Sequence, residues 1–345
     1  MKPLDIVKKY TAEGAAKNIA TTTGFSLPRS ILEHTRVKIA IRAIAEIHHY
    51  TQRNQKGKGL LITGPSGVGK SSILNHYCNL FPPVLESQFT RIPVLLVVTP
   101  STPTVGSIAE AILTAMKDPM AQRGTVEAKT ARIYQLFTKC KIELLMIDEF
   151  QHFFYARSNH DFRRITDWLK NFIIETKVAV VLSGLPESEI VVKSNFQIER
   201  RFTTKCAITP FRFDSGQDFA EFRGLLEAFQ RALPLPVETP LHEANMARRF
   251  LIASNGLLDY VHKILEGAVS IAGAAGHQSL DLPVYAAGFK KEVWADVGDR
   301  LNPFHPDSPL RELNRPDEPF YFSQKINTIG SSLARRVNVT EKRRP

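Results

Sequence analysis

Gly64-Pro65-Ser66-Gly67-Val68-Gly69-Lys70-Ser71-Ser72 matches the G-x-x-x-x-G-K-[ST] pattern of a phosphate-binding loop, and the apolar run Leu60-Leu61-Ile62-Thr63 leads into it. Glycines at 64, 67 and 69 let the backbone turn its N–H groups toward phosphate oxygens. A helix starting near Lys70 adds the positive end of its dipole. All nine residues are therefore expected around a nucleoside triphosphate, with Lys70 reaching the β- and γ-phosphates and Ser71 ligating Mg²⁺.

The pattern carries this meaning only between a strand and a helix. Gly59–Thr63 reads as a short buried strand, and Ser71-Ser72-Ile73-Leu74-Asn75-His76-Tyr77 reads as the start of an amphipathic helix. A second element supports it: Glu143-Leu144-Leu145-Met146-Ile147-Asp148-Glu149, an apolar strand whose first terminal carboxylate comes 78 residues after Lys70. Asp148 suits the aspartate that holds Mg²⁺ through water, and Glu149 suits the base that polarises the attacking water. ATP and Mg²⁺ are the ligands these residues call for, and ATP hydrolysis is the reaction.

With 345 residues the chain exceeds one ordinary domain, so a nucleotide-binding core with smaller appendages is expected. A hydrophobic content of 43% is that of a globular protein. No apolar stretch reaches the ~18 residues of a membrane span, and Met1–Tyr10 lacks the apolar segment of a signal peptide. The expectation is a soluble, cytoplasmic protein with no membrane partner. Cys78, Cys140 and Cys206 form no C-x-x-C pair and read as buried thiols.

Charge is unevenly spread. Residues 1–58 carry 11 Lys/Arg against 4 Asp/Glu, whereas 59–280 carry 23 against 21 and 281–345 carry 11 against 9. The basic excess precedes the core, with a second cluster at Lys342-Arg343-Arg344. Such patches suit nucleic acid or an acidic partner, with a solvated surface as the plainer alternative.

Along the chain, 1–58 reads as a basic arm followed by a helix after Pro28, its apolar positions Ile31, Leu32, Val37, Ile39, Ile41, Ile44 and Ile47 recurring at helical spacing. His48-His49 reads as that helix's end. Residues 59–210 read as the nucleotide-binding core, with strands expected at 91–98, 143–149 and 178–182 and helices at 70–80, 105–116, 128–140 and 161–176. Strands alternating with helices predict a doubly wound parallel sheet with its ligand at the carboxyl ends of the strands. Trp168 reads as core. Ser183, at the end of Val178–Leu182, is the candidate sensor of the γ-phosphate or water. Arg200 and Arg201 follow the fourth core strand, where ring-forming ATPases carry an arginine finger for the phosphate bound next door. Residues 211–280 read as a helical lid with helices at 213–233 and 243–275, and 281–345, rich in proline, as an extended tail that Phe320-Tyr321-Phe322 could anchor to a partner.

The run Ile147-Asp148-Glu149-Phe150-Gln151-His152-Phe153, then Asp167-Trp168-Leu169-Lys170, Leu182-Ser183-Gly184-Leu185-Pro186-Glu187 and Glu199-Arg200-Arg201-Phe202, resembles the TniB/TnsC family of AAA+ ATPase regulators of bacterial transposons, including CRISPR-associated ones, over roughly 28–270. The resemblance implies a DNA-stimulated ATPase that forms a homo-oligomer, a ring or a helical filament, on double-stranded DNA and links a TniQ-like target selector to the transposase. It also implies basic or hydroxyl residues lining the filament bore from loops after the second and third core strands, for which Lys117, Arg123 and Lys129 are the candidates. Many AAA+ lids carry an arginine soon after a glycine in a lid helix. Here Gly256-Leu257-Leu258-Asp259 has none, so either Lys263 substitutes or that contact is missing. A helicase loader or initiator-like ATPase would share the core, and a nucleotide-binding scaffold without hydrolysis would have no use for Glu149.

Overall fold

A computed structural model describes residues 25–27, 34–54, 56–155 and 159–321. The arm at 1–24, Pro28, Ile31 and Leu32, Phe322 and the terminal Lys342-Arg343-Arg344 lie outside the described residues. The chain divides into two compact units, 35–209 and the remainder.

The first unit opens with α1 (Thr35–Asn54), β1 (Gly59–Thr63) and α2 (Lys70–Asn79). The two-residue strands β2 (Val84–Leu85) and β3 (Thr90–Arg91) make a small antiparallel hairpin before β4 (Val94–Val98). There follow α3 (Val105–Ala115), α4 (Val126–Lys139), β5 (Leu144–Asp148), a 3₁₀ segment (Phe150–Tyr155), α5 (Asn159–Thr176), β6 (Ala179–Gly184), α6 (Ser188–Lys193), α7 (Phe196–Glu199) and β7 (Thr204–Ala207). The five long strands form one parallel sheet in the order β4-β5-β6-β1-β7. Every residue of β1, β5 and β6 is buried, which is why these segments read as unbroken apolar runs. The expected strand at 91–98 is shorter than its apolar run because Pro93 has no N–H for the ladder; its carbonyl instead accepts from Glu143 and Leu144. Helix starts follow local chemistry: Thr104 and Ser107 form a capping box on α3, and Thr125 caps α4. Trp168 is buried, stacks on Phe172 and donates its indole N–H to Thr130 Oγ1, as a core residue would.

His48-His49 is not the end of α1, which runs on to Asn54, and His48 is buried within it. Its Nε2 lies 3.2 Å from Glu143 Oε2 and its Nδ1 3.1 Å from the Tyr77 hydroxyl, an arrangement that suits a neutral ring donating to the carboxylate and accepting from the phenol. Glu143 also receives Arg91 and Gln52 at 2.7 Å. Burial pushes the His48 pKa below its usual value, outweighing the carboxylate. Burial alone would raise Glu143, but donors from Arg91, Gln52 and His48 overcome it and hold the group below the usual carboxylate range. The unfolded chain therefore binds more protons in both cases. The stability from His48 is complete above pH ~6.5 and lost as pH falls from there to its folded pKa, and that from Glu143 is lost only below ~4.5. Melting followed by circular dichroism should show a fall of a few degrees between pH 7 and 5.5, and His48→Gln should flatten that part alone.

The second unit packs α8 (Gly216–Ala232), α9 (Ala244–Ser254), α10 (Leu258–Ala275) and α11 (Leu282–Glu292) around Phe222, Phe250, Val261, Ile264, Tyr285 and Phe289. The single helix expected at 243–275 is two helices. Asn255 and Gly256 have φ of 50° and 70°, a left-handed pair that ends α9. A Cβ on Gly256 would stand 2.0 Å from the Phe211 carbonyl, so the chain passes only because that residue is glycine. Lys263 is paired with Asp259 at 2.7 Å, one turn away on its own helix.

Residues 281–321 are not an extended tail. Asp281 caps α11, and Val297, Phe304, Leu313 and Phe320 are buried in the same core, Phe304 against Phe250 and Phe320 against Tyr260. A proline-rich segment lacks donors for a regular ladder, yet its carbonyls remain strong acceptors. Buried Arg249 takes two of them, Pro303 O at 2.6 Å and His305 O at 2.8 Å. At the other end of the sequence, Leu27 is buried in this unit, with its N–H and the Ser26 hydroxyl both donating to Glu266 at 2.9 Å.

Candidate nucleotide site

The loop 64–69 joins β1 to α2 at the carboxyl edge of the sheet. Its entry is tied on both sides: Gly64 N–H donates to Gly184 O, and Thr63 O accepts from Ile208. A Cβ on Gly64 would lie 2.4 Å from Ile208 O, while Gly67 and Gly69 have φ of 76° and 97°. Gly69 heads α2 without a side-chain cap, so the amides of the first turn are left for an anion. Pro65 and Ser66 form the outer curve, Val68 packs inward, and Ser72 follows on the first turn of α2.

Lys70 is buried and donates to Gly64 O and Pro65 O, both at 2.8 Å, which uses two of the three donors of its ammonium. Burial pushes its pKa down, and the carboxylates of Asp148, Glu149 and Glu187 work against that shift. Ser71 Oγ donates to Asp148 Oδ2 at 2.5 Å, joining the loop to the end of β5. The register pairs Leu182 with Ile147, so one step further Ser183 and Asp148 stand side by side. Thr99, at the end of β4, donates both its N–H and hydroxyl to Asp148 O. The Ser183 hydroxyl and Glu187 Oε2 are buried without a hydrogen-bond partner among the described residues.

These residues fit a magnesium triphosphate. Gly64 admits no Cβ and Gly67 and Gly69 hold left-handed φ, the helix end offers free amides, the lysine retains a donor, and the hydroxyl–carboxylate pair is a hard oxygen set of the kind Mg²⁺ prefers. Glu149 follows Asp148 with a partly exposed side chain, able to meet water at the edge of the site.

Arg200 and Arg201 sit elsewhere. Arg201 O accepts from Gly59 N–H at 3.0 Å, at the opposite end of β1 from Gly64. Five strand residues at ~3.3 Å each separate that point from the phosphate loop, roughly 16 Å. Arg200 is exposed, with its guanidinium 5.5 Å from the ring of Phe196, itself 68% exposed.

Of the three basic candidates after α3, Lys117 and Arg123 are exposed on the connection to α4, which Arg132 braces by donating to Met120 O at 3.0 Å. Lys129 departs from its expected place: it is buried on the inner stripe of α4 and pairs with Glu110 on α3 at 2.8 Å. Two further residues had drawn no role from sequence. Glu187 is one, visible only as an acid after a strand end; it is buried, and its charge acts on Lys70. Gln151 is the other, buried beside Glu149.

A family model described as bacterial TniB protein matches residues 28–210. Among solved structures, the ORC1 protein of Aeropyrum pernix in complex with DNA is similar at a TM-score of 0.58 and 15% identity, over 76% of this chain and 66% of that one. The ORC2 protein of the same organism, in its ADPNP–ADP complexes, gives 0.57 and 12% over 80% and 71%. Cdc6p of Pyrobaculum aerophilum gives 0.55 and 13% over 83% and 73%. Identities this low show a shared P-loop AAA+ fold and nothing finer. None of the curated proteins matches the sequence. Among the described residues no helix is long and apolar enough to cross a membrane.

Proposed function

Because the chain belongs to the bacterial TniB family and is an AAA+ ATPase, we propose that it assembles on double-stranded DNA as a ring or helical filament, hydrolyses ATP between subunits, and couples target-site selection to transposase recruitment. On this reading it acts in the cytoplasm, between a TniQ-like selector and the transposase.

The chemistry follows from the residues. The loop amides and Lys70 bind and orient the triphosphate, and Ser183 reads its far end. Glu149 takes a proton from the attacking water as the water oxygen bonds to the γ-phosphorus and the bond to the β–γ bridging oxygen breaks, leaving ADP and phosphate. Ser71 and Asp148 would hold Mg²⁺, which neutralises phosphate charge when bound.

The position of Arg200 and Arg201 carries the assembly reading. The Arg201 backbone lies at the end of β1 remote from Gly64, and the Arg200 guanidinium is exposed beside Phe196, an arrangement that suits a neighbour's nucleotide better than the chain's own. Electron micrographs of the protein with duplex DNA and a slowly hydrolysed ATP analogue test this: rings or filaments are expected, and a population of monomers would end it.

Lys117 and Arg123 are proposed as phosphate contacts. Duplex affinity should then fall steeply with salt and vary little with sequence, and the double alanine variant should reduce the slope of log K against log[salt] by about 1–2. A strong preference for one DNA sequence would favour the initiator-like reading instead.

A further inference from the structure

Glu149 sits at φ 56°, in the left-handed region that a residue with a Cβ seldom adopts and that surrounding contacts must hold. Its N–H donates to Asp148 Oδ1 at 2.9 Å, and its carbonyl accepts from His152 N–H at 3.0 Å. The backbone is therefore fixed on both sides, whereas the carboxylate is at the end of a side chain that is 41% exposed. His152 Nε2 stands 3.8 Å from Glu149 Oε2, beyond hydrogen-bond reach, so something else must orient the carboxylate.

Gln151 is in place to do so. Its Nε2 donates to Glu149 Oε2, while its Oε1 accepts the Leu185 N–H at 3.0 Å. Gln151 is only 4% exposed, so a single buried amide spans from the base to the turn that follows Ser183 and Gly184. Its two ends are not interchangeable, because a flipped amide would set a donor against a donor at Leu185 and an acceptor against a carboxylate at Glu149. There is no slack around it either. A Cβ on Gly184 would lie 2.5 Å from Gln151 Oε1 and 2.3 Å from Ser188 Oγ.

We infer that Gln151 is a positioning residue for hydrolysis: its amide N–H fixes the Glu149 carboxylate, and its carbonyl takes its own position from Leu185, so that the base is oriented by the strand end that carries Ser183. The inference rests on Glu149 being the base of an ATPase. A general base acts only within hydrogen-bond reach and in line with its proton, and small displacements cost large factors in rate. The group that meets the far end of the triphosphate and the group that activates water thus share one rigid link, and a displacement of the β6–α6 turn reaches the carboxylate through two hydrogen bonds.

Three variants test it, each measured for kcat and KM in phosphate release, for ATP affinity with a fluorescent analogue, and for melting temperature. Gln151→Met keeps the volume and removes both bonds. Gln151→Glu keeps the acceptor for Leu185 and sets a like charge against Glu149. Gly184→Ala leaves every side chain of the site intact and displaces the amide. In all three, kcat is expected to fall about ten- to hundredfold, with ATP affinity within twofold of the parent. A packing role alone would lower melting temperature and ATP affinity together with kcat. The inference is overturned if Gln151→Met and Gln151→Glu retain the parental kcat, or if kcat falls only in proportion to lost ATP affinity. Failure of the underlying reading is distinguishable, since the parent protein itself would then release no phosphate.

Discussion

Glu149→Gln is expected to lower the rate of phosphate release by about 10²–10⁴, the range that a positioned base contributes, while leaving ATP affinity unchanged. An amide keeps the shape of the side chain and cannot take up a proton near neutral pH. The groups proposed to hold the triphosphate are untouched: Lys70 on its two carbonyls, Ser71 on Asp148, and the glycine cradle with its uncapped helix end. Single-turnover assays with radiolabelled ATP separate the two quantities. A fall of less than tenfold would mean that water is activated by another group, and a parallel loss of binding would mean that Glu149 serves the site's structure. The variant should also hold its assembly on duplex DNA longer than the parent, because the nucleotide persists.

Arg200→Ala is expected to cost still more, about 10³–10⁵ in hydrolysis if the guanidinium acts as an arginine finger, although the substitution leaves the variant's own phosphate loop intact. Arg200 is the sharper choice of the two arginines. It is exposed beside Phe196, whereas Arg201 is half-buried and its backbone is paired with Gly59. Mixing decides whether it acts in trans. A subunit with Arg200→Ala still carries Glu149, and a subunit with Glu149→Gln still carries Arg200. Where the second follows the first in head-to-tail order, a complete site forms, at about a quarter of the interfaces in an equal random mixture. Activity restored by mixing two inactive proteins is the expected result. If mixing restores nothing, and Arg200→Ala retains hydrolysis, the arginine does not reach a neighbour's nucleotide.

The core was legible because its signals are local. The loop at 64–69 declares itself through glycine spacing, β5 through an apolar run ending in Asp148, and β6 through a run ending in Ser183. A parallel sheet buried on both faces writes each strand as an uninterrupted stretch. Errors came where a local pattern conceals a distant partner. Lys129 looks like a free cation in sequence and becomes one half of a pair with Glu110, because the period of α4 turns it inward. Residues 281–321 look like a tail because proline prevents regular structure, but that does not prevent burial when Arg249 supplies the donors and Phe304 the apolar surface. The helix expected across 243–275 breaks at Asn255-Gly256, a pair that could have been read as a stop signal.

By itself the sequence determined the phosphate loop, the parallel sheet and the two acids proposed for hydrolysis, because each is written in a short contiguous motif. Only the tertiary structure decided which side chains stand together around that chemistry: Ser71 against Asp148, and Gln151 between Glu149 and Leu185. Such pairings depend on register and close packing between strands far apart in the chain, where a shift of one residue would part every pair, and no local pattern records them.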